Sequence, residues 1–145
     1  MLPPRKRALR DWALELMRDR DRPDPSRMTY LLTVLVDENL LDEAWTTAIE
    51  NAAQLHESQW LQLIELREND HPVDVIGPYQ LLVERKINDT GDKYRYPRAI
   101  KTIRRLQDAY RYADDDAGFA VYVDDLRTRH KRKTSFIAKL DAACL

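Results

Sequence analysis

The sequence is poor in glycine and cysteine, and both shortages limit what the chain can be. Its 145 residues include three glycines and one cysteine. So little glycine argues against a turn-rich all-β fold and against a glycine-rich phosphate loop. The single thiol, Cys144, cannot form a disulfide within the chain, and alone it cannot build a thiolate metal site. We expect it to be a partly exposed bystander.

Long apolar runs and an excess of one charge are also missing. No stretch approaches the roughly 20 apolar residues of a membrane-spanning helix, and the basic amino end lacks the apolar centre of a signal peptide. We therefore expect no membrane contact and a cytoplasmic location. The 24 basic and 25 acidic side chains nearly cancel. We do not expect the domain as a whole to bind nucleic acid electrostatically, although a local basic patch could still do so.

Residue patterns typical of catalysis or metal binding are missing as well. His56, His71 and His130 are not spaced at i and i+4, and no His-Glu-x-x-His pattern occurs. The acidic run Asp114-Asp115-Asp116 is not a calcium loop, since Gly118 falls one position early for one. No nucleophile–base pair can be named. We therefore predict a protein that is not an enzyme and has no cofactor and no metal.

Apolar residues recur at three- and four-residue spacing along most of the chain, which is typical of amphipathic helices. The most regular stripe spans residues 99–110, with arginine and lysine on the opposite face. Breaks as short as Asp37-Glu38-Asn39 force neighbouring helices into antiparallel pairs. The β-branched clusters near Val34 and Val121 lie within helical periods, so no strand is expected. We predict an all-α fold, an irregular, tetratricopeptide-like α-solenoid of about seven to eight helices in antiparallel pairs.

The helices are expected to form a single helical-repeat domain over residues 1–145. Within it, residues 1–23 form an N-terminal helix and linker, and residues 24–126 form the helix pairs. Residues 127–145 form a basic turn and a capping helix, which packs its apolar residues back onto the preceding pair.

Two local features predict details of helix ends. Pro78 falls inside a helical pattern that opens at His71-Pro72, and proline removes a backbone hydrogen bond there. We expect a kink at Pro78 or a helix that starts later. The carboxylates of Asp114 to Asp116 are expected to cap the positive end of the next helix.

The most unusual stretch packs five cations and a histidine into seven residues. These are Arg127, Arg129, His130, Lys131, Arg132 and Lys133. Such a cluster is a recognised nucleic-acid footprint, so phosphate contact is one interpretation. Four cations of the helix that carries the 99–110 stripe extend the patch if they face the same side: Lys101, Arg104, Arg105 and Arg111. The other interpretation is a solvated turn whose cations complement the negative end of the preceding helix.

Tyrosines at helix ends are the best candidates for a protein-contact surface. Tyr94, Tyr96 and Tyr112 lie there, whereas the three tryptophans fall on apolar stripes typical of a core. Because solenoids offer extended concave surfaces, we predict a non-enzymatic interaction module that binds a protein. The alternative is a nucleic-acid-binding accessory domain that uses residues 127–133.

Three separated segments carry a recognisable combination of residues. They are Leu40-Leu41-Asp42-Glu43-Ala44-Trp45, then Trp60-Leu61 with His71-Pro72-Val73-Asp74-Val75 and Tyr79, and finally Arg129-His130-Lys131-Arg132-Lys133 with Phe136 and Leu140-Asp141. Together they resemble the helical C-terminal region of bacterial SWIM zinc-finger family proteins, over residues 26–145. The resemblance implies a companion helical module. It does not imply zinc binding, because the Cys-x-Cys…Cys-x-His element that binds zinc in that family cannot be built from one cysteine.

Overall fold

A computed structural model describes residues 25–145 together with Ala8, Asp11 and Trp12, and it is all-helical there apart from connecting turns. The rest of the predicted N-terminal helix and linker lies outside the described residues. The described residues contain no strand, so the predicted all-α class is confirmed. The helices are α1 Pro25–Asp37, α2 Leu41–Glu50, α3 Glu57–Arg67, α4 Ile76–Asn88, α5 Arg95–Tyr112, α6 Asp116–Arg129 and α7 Thr134–Ala142, with a short 3-10 turn at Ala52–Gln54.

The chain divides into two compact units, the first ending at Leu66 and the second starting at Arg67. In the first unit, α1 packs against α2. The rings of Trp45 and Trp60 meet edge to face with centroids 6.0 Å apart, and both are buried, as expected for tryptophans on apolar stripes. A hydrogen bond from Gln59 Nε2 to Thr29 Oγ1, 2.7 Å long, ties α3 to α1.

In the second unit, α5 is the central helix, and α4, α6 and α7 all pack against it. Gln80 Nε2, near the start of α4, donates to the hydroxyl of Tyr110, near the end of α5, at 2.9 Å. Since the chain turns back between these helices, α4 and α5 are antiparallel, as predicted for neighbouring helices.

The last helix runs in the same direction as α5. The Tyr96 and Phe136 rings near their two N-terminal ends lie 5.5 Å apart, and Arg104 Nη2 donates to the carbonyl oxygen of Ala143 at 3.2 Å. The parallel arrangement follows because α6 carries the chain back before α7 begins. Antiparallel pairing therefore describes α4 and α5 but not α5 and α7, and the solenoid arrangement stays a prediction.

Both helix-end predictions are tested directly. Helix α4 begins at Ile76, so Pro78 lies in its first turn, where a missing N–H leaves no intrahelical bond unmade. The later helix start is thus confirmed. At α6, Asp115 is the N-cap, and its Oδ1 accepts from the backbone N–H of Gly118 at 3.0 Å. A Cβ at position 118 would collide with Asp115 Oδ2, so any other residue there would displace the capping side chain.

Three helices end on a non-glycine residue in the left-handed conformation. Asn39, Asp114 and Cys144 have φ values of 59°, 58° and 59°. At the end of α5, Asp114 N–H donates to Arg111 O at 3.0 Å and Asp115 N–H to Tyr110 O at 2.8 Å. This pair of bonds is the Schellman motif, and the same pattern recurs at Asn39 and Cys144. Each cap satisfies carbonyls that the helix itself leaves unpaired.

Glycine at position 144 is expected to stabilise the second unit by about 0.5–1 kcal/mol, because it removes the Cβ penalty of the left-handed conformation. Urea unfolding of Cys144→Gly, followed by circular dichroism, measures the gain. The matched control is Ala143→Gly, since Ala143 has φ −87° and ψ −1°. Glycine there is expected to destabilise by a similar amount. Equal shifts of the same sign in both variants would contradict the assigned cap.

Candidate interaction surface

The basic run does not lie on the surface as one patch. Arg127 and Arg129 complete the last turn of α6, His130 is its C-cap, and the remaining cations form the turn that leads to α7. The first three of these side chains form ion pairs or hydrogen bonds with other parts of the second unit. The other three form none among the described residues. The two interpretations of the run therefore apply to different residues within it.

His130 and Arg129 share one carboxylate on α4. Glu84 Oε2 lies 3.1 Å from His130 Nε2, and Glu84 Oε1 accepts from Arg129 Nη1 at 2.5 Å. Arg129 Nε also donates to Asp125 Oδ2 at 2.6 Å. Burial works against the charged guanidinium, but these hydrogen bonds outweigh it and raise the pKa of Arg129. His130 is 9% exposed, so its imidazole is packed inside the unit, away from any phosphate.

Arg127 ties the end of α6 to the end of α7. Its Nη1 is 2.7 Å from Asp141 Oδ1, and its Nη2 donates to the carbonyl oxygen of Leu145. Apolar contacts complete the attachment, since Phe136 and Leu140 are fully buried. Helix α7 therefore packs on α5 and is tied to the end of α6. Arg127, Arg129 and His130 thus anchor helices, which is the structural interpretation of the run.

The turn residues Lys131 and Arg132 are exposed, and Lys133 is half-buried. None of the hydrogen bonds or ion pairs among residues 25–145 involves their side chains. They remain the part of the run that is available to a phosphate. The turn leads directly into α7, whose Phe136 ring lies against Tyr96, so it lies at the end of the second unit where α5 begins.

The outer face of α5 is strongly basic. All four cations that the sequence analysis singled out are exposed there: Lys101, Arg104, Arg105 and Arg111. Arg98 is exposed on the same side, because it stands one turn before Lys101. Arg104 donates to the main-chain carbonyl of Ala143, the residue after α7, but Lys101, Arg105 and Arg111 have no side-chain partner within the part of the chain that the structure describes. We call this surface, from Arg98 to Arg111, the α5 basic face.

The loop before α5 brings an aromatic ring to one end of this face. Asp92 accepts the backbone N–H of Tyr94 at 2.9 Å and pairs with Arg98 at 2.6 Å. The hydrogen bond from Tyr94 and then the bond from Arg98 hold the pKa of Asp92 below its usual value, although burial opposes this. Arg98 Cζ and Lys93 Nζ lie 5.8 and 5.0 Å from the centre of the Tyr94 ring, within range of cation–π attraction.

The three candidate tyrosines differ in exposure. Tyr112 is 80% exposed and Tyr94 is 53% exposed, so both are available to a partner. Tyr96 is half-buried, because its ring packs on Phe136 and the guanidinium of Arg95 lies 4.6 Å from its centre. The tyrosine surface therefore rests on Tyr94 and Tyr112, one at each end of α5. Contacts between α5 and α7, which are distant in sequence, decide this difference.

Two kinds of feature are absent from the described residues. No group of three or more His, Cys, Asp or Glu side chains within them is arranged to hold a metal ion. Among their helices, none is both long enough and apolar enough to cross a membrane. His56 and His71 are exposed.

Comparison with known proteins adds no relative to this picture. No protein family, curated protein or solved structure matches the chain. The resemblance to SWIM zinc-finger family proteins therefore stays a prediction, and function has to be argued from the surface itself.

Proposed function

We propose that the chain is a non-enzymatic interaction module that binds a protein segment, as a companion domain of the kind that the SWIM resemblance implies. The observation that carries this proposal is the exposure of Tyr112, which leaves four-fifths of a large aromatic side chain in water at the end of α5. Tyrosine is enriched at protein interfaces because its ring contributes apolar area while its hydroxyl keeps a polar contact. Val121 on α6 is 68% exposed and adds apolar surface to the same unit.

The ionisable groups that pair between α4 and the end of α6 support a role without catalysis. Glu84, Arg129 and His130 hold one another across two helices. A base in such a network is already occupied by structural hydrogen bonds, whereas a general base must reach a substrate proton.

Site-specific photo-crosslinking tests the protein-binding proposal. A benzophenone side chain at position 112 is expected to give one discrete crosslinked product in native cells. The product can then be identified by mass spectrometry. The matched control carries the same group at Thr128, which is exposed on α6. Product patterns that are the same at both positions would count against a specific surface at Tyr112.

A second candidate function is nucleic-acid binding, and a specific observation favours it. Lys131, Arg132 and Lys133 carry no internal hydrogen bond or ion pair among the described residues, so their charges remain available to phosphates. The test is the affinity of the 145-residue chain for a fluorescent oligonucleotide. Binding is expected to weaken as salt rises, and to weaken again when all three cations become alanine. Affinity that does not change with salt concentration would rule out nucleic-acid binding.

A further inference from the structure

The charge of α5 and its preceding loop is far from that of the chain as a whole. Residues 93–112 carry seven cations and one carboxylate, whereas the whole chain has a net charge of −1. The cations are Lys93, Arg95, Arg98, Lys101, Arg104, Arg105 and Arg111, and the carboxylate is Asp108. Neither the fold nor the anchoring role of the 127–130 segment accounts for this concentration.

Packing explains why these cations point outward but not why they are there. The inner face of α5 is buried and apolar, with Ala99, Ile103 and Leu106 unexposed. Any polar residue would serve on the outer face. Cations in the first half of a helix oppose its dipole, and like charges at i and i+4, such as Lys101 and Arg105, repel by a few tenths of a kcal/mol. The α5 basic face therefore costs stability, which points to a role in binding.

The composition of the face indicates the class of ligand. The exposed positions between Arg98 and Arg111 are charged and include no large apolar side chain. The centres of protein–protein interfaces are depleted in charge, whereas nucleic-acid interfaces are polar and strongly positive. Arginine predominates, and its planar guanidinium suits bidentate contact with phosphate oxygens. Charge complementarity thus favours a phosphate backbone over an acidic protein segment.

The aromatic ring beside the face indicates an unpaired strand. Tyr94 is half-exposed and touches Arg98 at the start of the face. Stacking of a base on such a ring needs a base that is not stacked in a duplex. Helix α5 has 18 residues, which makes it about 27 Å long and gives room for several nucleotides in line.

We propose that the α5 basic face, with Tyr94 at its end, binds the phosphate backbone of single-stranded nucleic acid. The proposal rests on the second candidate function. It places the main phosphate contacts at Lys101 and Arg105 rather than in the 131–133 turn. The turn lies at the same end of the unit as Arg98 and extends the surface there.

Fluorescence anisotropy with a fluorescein-labelled 20-mer of thymidine tests this, using the full chain at several salt concentrations. Lys101→Ala with Arg105→Ala is expected to weaken binding on the order of tenfold and to reduce the salt slope by about 1.4, because each single-strand phosphate contact contributes about 0.7. Asp108→Lys is the opposing variant and is expected to tighten binding. All three side chains are exposed and form no hydrogen bond or ion pair with the described residues, so these variants should keep the fold, and circular dichroism verifies that.

Four other results of these binding measurements would each overturn one part of the proposal. If wild-type protein does not bind the 20-mer at low salt, the second candidate function and this inference both fail. If only Lys131, Arg132 and Lys133 matter, the function stands and the α5 proposal fails. Polyglutamate that competes as well as the 20-mer would identify an acidic protein segment as the ligand instead. A duplex that binds more tightly than the single strand would overturn the strand assignment.

Discussion

Replacing Phe136 with alanine is expected to lower the free energy of unfolding of the second unit by about 3–5 kcal/mol. The ring is fully buried and lies 5.5 Å from Tyr96 and 5.9 Å from the edge-on ring of His130. Its loss leaves a cavity where α7 meets α5 and the end of α6. Domains of this size are stable by only about 5–15 kcal/mol, so the expected loss is a large part of the total.

Helix α7 should report this change most clearly. It has nine residues, fewer than an isolated helix needs to persist in water, so it depends on Phe136 and Leu140 for its attachment. Urea unfolding measures the global loss, and hydrogen exchange should show α7 amides losing protection. Val121→Ala is the control, because Val121 is 68% exposed and its truncation should change stability by less than about 0.5 kcal/mol. A loss of the same size in both variants would show that α7 is not held by this ring.

Replacing Tyr122 with phenylalanine is expected to stabilise the second unit by about 1–2 kcal/mol at pH 7. Tyr122 is 8% exposed, and its hydroxyl is buried without a hydrogen-bond partner among the described residues. Folding therefore removes the hydrogen bonds of this hydroxyl to water and does not replace them with hydrogen bonds to the described residues. Phenylalanine keeps the ring and omits the unsatisfied group.

The same hydroxyl makes stability depend on alkaline pH. Burial, and next the carboxylate of Glu84, raise the pKa of Tyr122. Above about pH 10 a tyrosine in the unfolded chain releases its proton, whereas Tyr122 in the folded state keeps it. Because the unfolded state then binds fewer protons, the free energy of unfolding falls as pH rises. Tyr122→Phe removes this contribution, so its advantage over wild type should be larger at pH 10.5 than at pH 7.

Chemical denaturation at pH 7 and at pH 10.5 separates the effect of the unsatisfied hydroxyl from the effect of the raised pKa. Burial also raises the pKa of Tyr110, so part of the alkaline loss will remain in the variant. Tyr112→Phe is the matched control, since its hydroxyl belongs to a side chain that is 80% exposed and should matter little at either pH. If Tyr122→Phe destabilises at pH 7, the hydroxyl has a favourable contact and the argument fails.

Local sequence patterns predicted the helices because the information needed is local. The apolar stripe of residues 99–110 and the carboxylates near Asp115 act within one or two helical turns. The split of the basic run was not predictable in this way. It depends on Glu84, which is 45 residues from Arg129, and on a fold that brings α4 beside the end of α6. The orientation of α7 likewise follows from packing on α5, which no periodicity encodes.

Tyr96 illustrates the same limit at one position. Its place at a helix end suggested exposure, but Phe136, 40 positions further on, covers it. Conversely, the outward cations of α5 were predictable from their spacing, because every third or fourth residue shares a face. The sequence could not show that, among the described residues, Lys101, Arg105 and Arg111 form no hydrogen bond or ion pair through their side chains.

The junction between α5 and α6 leaves no room for a change of length. Asp115 closes the Schellman motif of α5 through its N–H and opens α6 through its carboxylate, so one residue belongs to both helix ends. One inserted residue would separate these two roles and rotate α6 relative to α5 by about 100°, one residue's share of a helical turn. Insertions and deletions in related chains should therefore collect between α3 and α4 or between α4 and α5, and spare residues 113–115.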